Sequence, residues 1–536
     1  KAFYDRSKLS KEELAMVKEL EDKDKKEADE KAKASGPNPT GAAAPSPAAT
    51  KDITVDWDGL SDRKARLTTN TSGINDWVLS KDGEKLFYLT SFDKGNDIWV
   101  TEPRTRDTKL FAKLGANNVS DFELSPDGKF LFLVADGHAM KIDADSGKPE
   151  PVGVNADMVL NYSAEKAYIF DHSWRQFKEK LIYTDLHKVD WDSYYAAYRR
   201  FLPYINNNYD FAEMESEMLG EMNVSHTGAY YSPQNPNGDQ TASLGLLYDY
   251  DYTGNGVKIA EVIQGGPVDL AASSIKAGQI VEAIDGTPID ASMDFYKLLN
   301  RKAGKYSLLS VFDPAANKRW DEPVKPVSLG AEGELLYKRW VRNRRAEVDR
   351  LSGGRIGYIH VRSMNDASMR TAVEEALGLN LEKDAIIVDT RFNGGGNIHE
   401  QLSDFLSGKK YFDIVPHGQF IGHEPDSKWI KPSAVLMGES NYSDAHLFPL
   451  AYKAKGIGPL IGMPVPGTGT FVWWENQIDP TIRYGIPMGC WQPTAGVCAE
   501  NNQTDPDIRV MNDPAVMASG HDQQIEAAVK ELMKKK

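Results

Sequence analysis

"AIIVDTRFNGGGN", residues 385–397, joins an apolar run to three consecutive glycines, and the helix-like "IHEQLSDFL", 398–406, follows it. A strand, a glycine turn and a helix in that order mark an α/β layer. Consecutive glycines let other backbone come close and leave N–H groups free to face an anion. Such a turn suits an oxyanion hole, a phosphate site or a tight turn without ligand. The stretch has no G-K-[ST] ending and no G-x-G-x-x-G spacing, which argues against a nucleotide.

Working outward, "GRIGYIHV" (354–361) and "SAVLMGES" (433–440) read as further buried strands, and "DQQIEAAVKELMKKK" (522–536) as a closing helix. Residues 331–536 are therefore expected to form an α/β core. Within it, "GESNYSDAHLFPLAYKAKGIGPLIG" (438–462) breaks from a polar turn into an apolar helix at Ser443-Asp444. A serine there is either a nucleophile or an ordinary helix cap. A second candidate lies at Ser225-His226, where a helical region ends in "NVSHTGAYY". Lys453 and Lys455 are nearer in sequence and compete as the base.

The rest of the chain divides by composition. Its 536 residues suggest roughly three or four domains. Residues 1–55 combine a charged run, "KEELAMVKELEDKDKKEADEKAKAS", with "GPNPTGAAAPSPAAT", and read as a linker. Two matching segments follow, "SKDGEKLFYLT" from Ser80 and "SPDGKFLFLVA" from Ser125, 45 residues apart, with a third, eroded copy at "NYSAEKAYIF" from Asn161. That period fits propeller blades, and since closure needs about four or more, residues 56–172 are expected to be the last blades of a propeller in a truncated chain. Residues 173–238 read as a small helical domain. Residues 239–330 carry "SLGL" (243–246) and "AGQIVEAIDGTPI" (277–289), resembling a PDZ domain in which Leu244, Gly245 and Leu246 would receive a peptide carboxylate.

The 63 basic and 78 acidic residues leave a net charge of -15, which disfavours nucleic acid as a partner. No apolar run has membrane-spanning length. The histidines show no metal-ligand spacing, "HGQFIGHE" (417–424) included, so neither metal nor cofactor is expected. Cys490 and Cys498 are either a short-loop disulfide or two free thiols. The chain starts at Lys1 with no signal-peptide pattern, and processing or truncation is the expectation.

Four motifs, "NVSHTGAYY", "VDTRFNGGGN", "NYSDAH" and "CAENNQTDPDI", together with "LHKVDWDSYYAAYRRFLP" (186–203), resemble the tricorn proteases and their bacterial homologues, which are related to the C-terminal processing peptidases. The resemblance implies a multidomain α+β chain: a partial β-propeller, a small helical domain, a PDZ-like domain and an α/β core of the crotonase/ClpP type. It implies a serine endopeptidase that cleaves peptides or unfolded polypeptides through an acyl-enzyme. Ser443 would be the nucleophile, His226 the base, and Ser225 with Glu500 its orienting partners. The oxyanion hole would be the Asp444 N–H with that of Gly396 or Gly395, so the Asp444 backbone rather than its carboxylate is expected to matter. Where the processing peptidases place a lysine, this chain reads "PVPGTGTFVW" (464–473), which favours His226.

P1 preference depends on whether Asp413 or Ile414 of "YFDIVPHG" falls at the specificity position. Homo-hexameric assembly follows by resemblance. The rivals are a silent peptide-binding scaffold and a crotonase-like acyl-transfer enzyme. Sequons at Asn223 and Asn441 overlap Ser225 and Ser443, so a eukaryotic secretory origin is unexpected. Bacterial homologues of this type are often exported and the Cys490/Cys498 pair is compatible with that, so the resemblance implies a periplasmic location over a cytoplasmic one.

Overall fold

The computed structural model describes residues 72–534 except Asp93, Gln234 and Ala495, together with Lys26, 57–59, Lys64 and 66–68. The linker expected at 1–55 lies, but for Lys26, outside the described residues. The chain forms two compact units, Lys1–Val159 and Leu160–Lys536.

The first unit holds two four-stranded antiparallel meanders, Ile74–Leu79 through Thr108–Ala116 and Val119–Leu124 through Pro149–Pro151. The repeat seen in the sequence is a repeated turn. Ser80 Oγ donates to Asp82 (2.6 Å) and accepts from Lys85 N, and Ser125 Oγ donates to Asp127 (2.6 Å) and accepts from Phe130 N. Gly83 and Gly128 occupy the left-handed position of each turn, at φ +71° and +78°. Alternate strand residues, Phe87 and Leu89 from one meander and Leu131 and Leu133 from the other, bury a common core.

The third copy corrects the expectation. At Asn161 the chain is helical, Tyr162–Lys180, because Ala164 stands where the turns need glycine and Asn161 instead caps the helix through Ala164 N. The boundary expected at 172/173 therefore falls inside a helix.

The second unit opens with helices α1 (Tyr162–Lys180), α2 (Trp191–Arg199) and α3 (Asn208–Gly220). Their apolar faces bury Phe170, Phe177, Trp191, Phe211 and Met218, but not against one another alone. Ile482, Tyr484 and Ile486 of strand Ile482–Cys490 belong to the same core. That strand is the centre of a three-stranded antiparallel sheet, with Thr470–Asn476 on one side and Ala229–Tyr231 on the other. The helical region is thus sealed by sequence from the far end of the chain, and the loop before Ala229 is pinned to it.

Residues 246–324 form a six-stranded antiparallel sheet around Leu246, Ile259, Val281, Ile284, Leu309 and Val311. Helix α4 (Leu329–Ser352) then leads into a parallel sheet of five strands in chain order: β1 (Ile356–His360), β2 (Ala385–Asp389), β3 (Ser433–Met437), β4 (Leu460–Gly462) and β5 (Ile508–Arg509). β1, β2 and β3 are buried along their whole length, as a sheet covered on both faces requires. One face packs on α4 and the last helix, α7 (Gln523–Lys534); the other packs on α5 (His399–Leu406) and α6 (Asp444–Ala454). The glycine turn follows β2 and the Ser443 turn follows β3, so both lie at the carboxyl edge of the sheet, where ligands of open α/β sheets bind.

Candidate active site

The sheet places two turns against each other. Ser443 sits at φ +57°, an unfavourable conformation for a non-glycine residue that aims its side chain out of the turn ahead of α6. Its N–H is held by Thr468 Oγ1 at 2.9 Å, and Tyr442 N donates to the Asn393 carbonyl of the glycine turn. Gly395, at φ +100°, packs so tightly here that a Cβ on it would stand 2.6 Å from Ser443 Cβ and 3.1 Å from Asp444 N. A Cβ on Gly396 would run into the Met364 carbonyl. The glycines are needed because the two turns touch.

The structure separates the two glycine donors left open by the sequence. Gly395 N–H donates to Asn393 Oδ1 at 2.9 Å and is already used. Gly396 N–H has no partner among the described residues, nor has the N–H of Asp444 at the first position of α6.

The expectation for Asp444 is corrected in one respect. Its carboxylate is not idle: it accepts from Ile398 N (2.6 Å), His399 N (3.0 Å) and the His399 ring. It therefore ties the start of α5 to the start of α6, fixing the glycine turn relative to the serine turn.

His226 arrives from the other side, on the loop between α3 and Ala229–Tyr231. It is buried, at φ +64°, with its backbone N–H donated to Tyr442 Oη at 2.6 Å and its ring 4.7 Å from the Tyr442 ring. Nδ1 lies 2.8 Å from Ser225 Oγ and 2.9 Å from Thr470 Oγ1. Ser225 Oγ donates to Glu500 Oε2 (2.8 Å), and Glu500 Oε1 accepts Ser225 N–H (2.6 Å). Because the serine proton goes to Glu500, its oxygen accepts from the imidazole. That puts the ring proton on Nδ1 and leaves Nε2 a free lone pair. Burial holds the His226 pKa down at about 4, so the ring is neutral at neutral pH.

Ser443, His226, Asp444 and Gly396 line one cavity of about 400 Å³, whose walls are Leu447, Phe471, Val472, Trp474 and Trp491. The other sequence candidates are elsewhere. Lys455 pairs with Asp404 and Ser403, and Lys453 Nζ is 3.8 Å from Asp507; neither lines the cavity. Asp413 and Ile414 lie on the exposed hairpin of Phe412–Ile414 with Gly422–Glu424; Asp413 pairs with Lys410 at 3.0 Å, and neither residue lines the cavity. Leu244 and Leu246 are buried, and Gly245 N–H is taken by Ser243 Oγ at 2.9 Å. Cys490 and Cys498 are joined as a disulfide, closing a loop that carries Trp491 of the cavity wall and ends just before Glu500.

Sequence reasoning missed four supports: Tyr442, Thr468, Thr470 and His446. His446 Nδ1 accepts Thr468 N–H (3.2 Å) while Nε2 donates to Thr504 Oγ1 (2.9 Å), bracing the threonine that holds Ser443. "GTGT", 467–470, was the available signal: two hydroxyls at alternate positions facing the site.

Residues 355–510 match Peptidase family S41, and residues 162–220 match the Tricorn protease C1 domain. Tricorn protease homolog 1 of Streptomyces coelicolor is 28% identical over 436 residues, covering 76% of this chain and 40% of the relative. The tricorn protease of Thermoplasma acidophilum is 25% identical over 436 residues, covering 78% and 40%. The chain therefore spans about two fifths of the length of these relatives. In fold it is similar to a crystal structure of the tricorn protease, with a TM-score of 0.74 at 21% identity over 86% of this chain and 46% of that one. Over most of its length the chain is thus similar to tricorn proteases, and its α/β core carries the match to peptidase family S41.

Proposed function

We propose that the chain is a serine endopeptidase acting through an acyl-enzyme. The observation that carries this reading is the convergence of Ser443, a neutral His226 and two unpaired N–H groups on one cavity. His226 Nε2 takes the Ser443 hydroxyl proton as Oγ attacks the scissile carbonyl. The oxyanion is received by Asp444 N–H and Gly396 N–H. The imidazolium then protonates the leaving amine, and water, deprotonated by the same ring, releases the acyl group. Ser225 and Glu500 hold the Nδ1 proton and stabilise the positive ring.

The walls set the substrate class. Apart from Asp444, whose carboxylate is engaged by α5, the cavity carries no acid to meet a basic side chain. Apolar and aromatic P1 residues follow, in peptides or unfolded polypeptides. The six-stranded sheet is read as a PDZ-like domain in a structural role, since its candidate loop spends the Gly245 N–H internally. The meanders are read as two propeller blades. Homo-hexameric assembly and a periplasmic location complete the proposal, the disulfide supporting an oxidising compartment.

The test is labelling by a fluorophosphonate probe, mapped by mass, on the wild type, Ser443→Ala and His226→Ala. Labelling confined to Ser443 and lost in both variants is the expected result. A folded, assembled wild type that takes no label would replace this reading with a silent peptide-binding scaffold.

A further inference from the structure

A second cavity, of about 470 Å³, lies between α4 and the helix Asp366–Glu374, and its lining has a different character from that of the first. Four cations face it: Lys338, Arg342 and Arg345 from successive turns of α4, and Arg362 from beyond β1. Two carboxylates answer them. Arg362 Nη1 reaches Glu334 at 2.7 Å, and Arg345 Nη2 lies 2.7 Å from Glu375. Among the described residues Lys338 and Arg342 have no carboxylate within ion-pair distance, and the Nε of Arg345 is buried without a hydrogen-bond partner. Like charges crowded into a concave site repel one another unless an anion sits among them, and planar guanidinium groups suit the oxygens of phosphates and carboxylates. The hydroxyls of Ser368 and Thr371 complete the opposite wall.

The floor of this cavity touches the glycine turn. Tyr337 Oη lies 3.0 Å from His360 Nδ1, and His360 Nε2 lies 3.1 Å from the Arg391 carbonyl. Since a carbonyl can only accept, Nε2 carries the proton and Nδ1 accepts from the tyrosine. Arg391 opens "RFNGGGN", and Trp340 of α4 packs edge-on against both His360 and Phe392. Whatever steadies Tyr337 in the cavity thus steadies the turn that carries Gly396.

We propose that this cavity binds a small multivalent anion, a phosphate ester or a polycarboxylate, and that the bound anion restrains the glycine turn through Tyr337 and His360. The site is separate from the Ser443 cavity and does not depend on the peptidase reading.

The experiment titrates the full chain with inorganic pyrophosphate and, separately, with citrate by calorimetry, and follows hydrogen exchange of residues 389–397 with each anion. The wild type is compared with the surface double variant Lys338→Gln/Arg342→Gln, chosen because both side chains reach solvent. Saturable binding, weakened about tenfold or more in the double variant and accompanied by slower exchange at 389–397, is expected. Preference for pyrophosphate or for citrate assigns the ligand to the phosphate or the carboxylate class. Absence of saturable binding of either anion, equal binding by the variant, or binding that leaves exchange at 389–397 unchanged overturns the proposal.

Discussion

The two sides of the site, the proposed nucleophile side around Ser443 and the proposed base side around His226, are built in opposite ways. The Ser443 and glycine turns follow adjacent strands of one parallel sheet, are pressed together backbone to backbone, and are tied by Asp444. His226 comes from more than two hundred residues away in sequence, and apart from its neighbour Ser225, itself held by Glu500, the contacts that orient it belong to other segments: Tyr442 and Thr470. The first arrangement resists substitution by steric necessity. The second rests on hydrogen bonds that can be removed singly, so the two sides should respond differently to mutation.

Gly395→Ala should be the most damaging change. The residue is at φ +100° and its new Cβ would press on Ser443 Cβ, so a loss of about 3 kcal/mol or more in stability is expected, with no labelling at Ser443. Chemical denaturation and probe labelling check both; a folded variant that labels normally would break the comparison. On the base side, Thr470→Val removes one partner of His226 Nδ1 while keeping shape. A fall in kcat of about tenfold, with little change in KM or stability, is expected from the loss of one hydrogen bond. A fall in stability as large as that of Gly395→Ala would show that the base loop is as rigidly built as the nucleophile turn.

The base side also contains a buried carboxyl. Glu215 of α3 lies in the helical core with neither oxygen hydrogen-bonded, and burial raises its pKa to about 7. The fold keeps it protonated, so stability is whole below the ordinary carboxyl pKa and is lost as pH rises through about 7. Glu215→Gln should remove that loss, raising stability at pH 8 by about 2 kcal/mol and leaving it nearly unchanged at pH 4.5, measured by denaturation at both values.

The smallest effect is one of position. His226, held down to about 4, should place the acid limb of kcat/KM near pH 4 instead of near 6.5, provided the peptidase reading holds. Its folded form resists protonation, so this histidine withdraws stability as pH falls from about 6.5 toward 4. A limb near 6.5 would mean that the base is more open to water than the buried loop indicates.

The same contrast explains what the sequence revealed. Strands β1, β2 and β3, the glycine turn and the serine turn are local patterns, and they were readable because strand, turn and helix chemistry is written in adjacent residues. Gly396 could be separated from Gly395 only in three dimensions, since the difference is whether Asn393 reaches one N–H. Thr470 and Tyr442 went unread because their roles exist only across the joint between distant segments. The Asp444 carboxylate was misjudged for the same reason: its partners are on α5, more than forty residues earlier. At Asn161 the failure was local, one alanine in place of a turn glycine, which converts a strand register into a helix start.

The strand Ile482–Cys490 closes the core of α1 to α3, and Glu500 follows it. During synthesis the loop bearing His226 therefore meets neither its sealing strand nor Glu500 until residues beyond 482 have been made. The core of α1 to α3 and the hold on Ser225 are both incomplete while residues beyond 482 are still inside the ribosome.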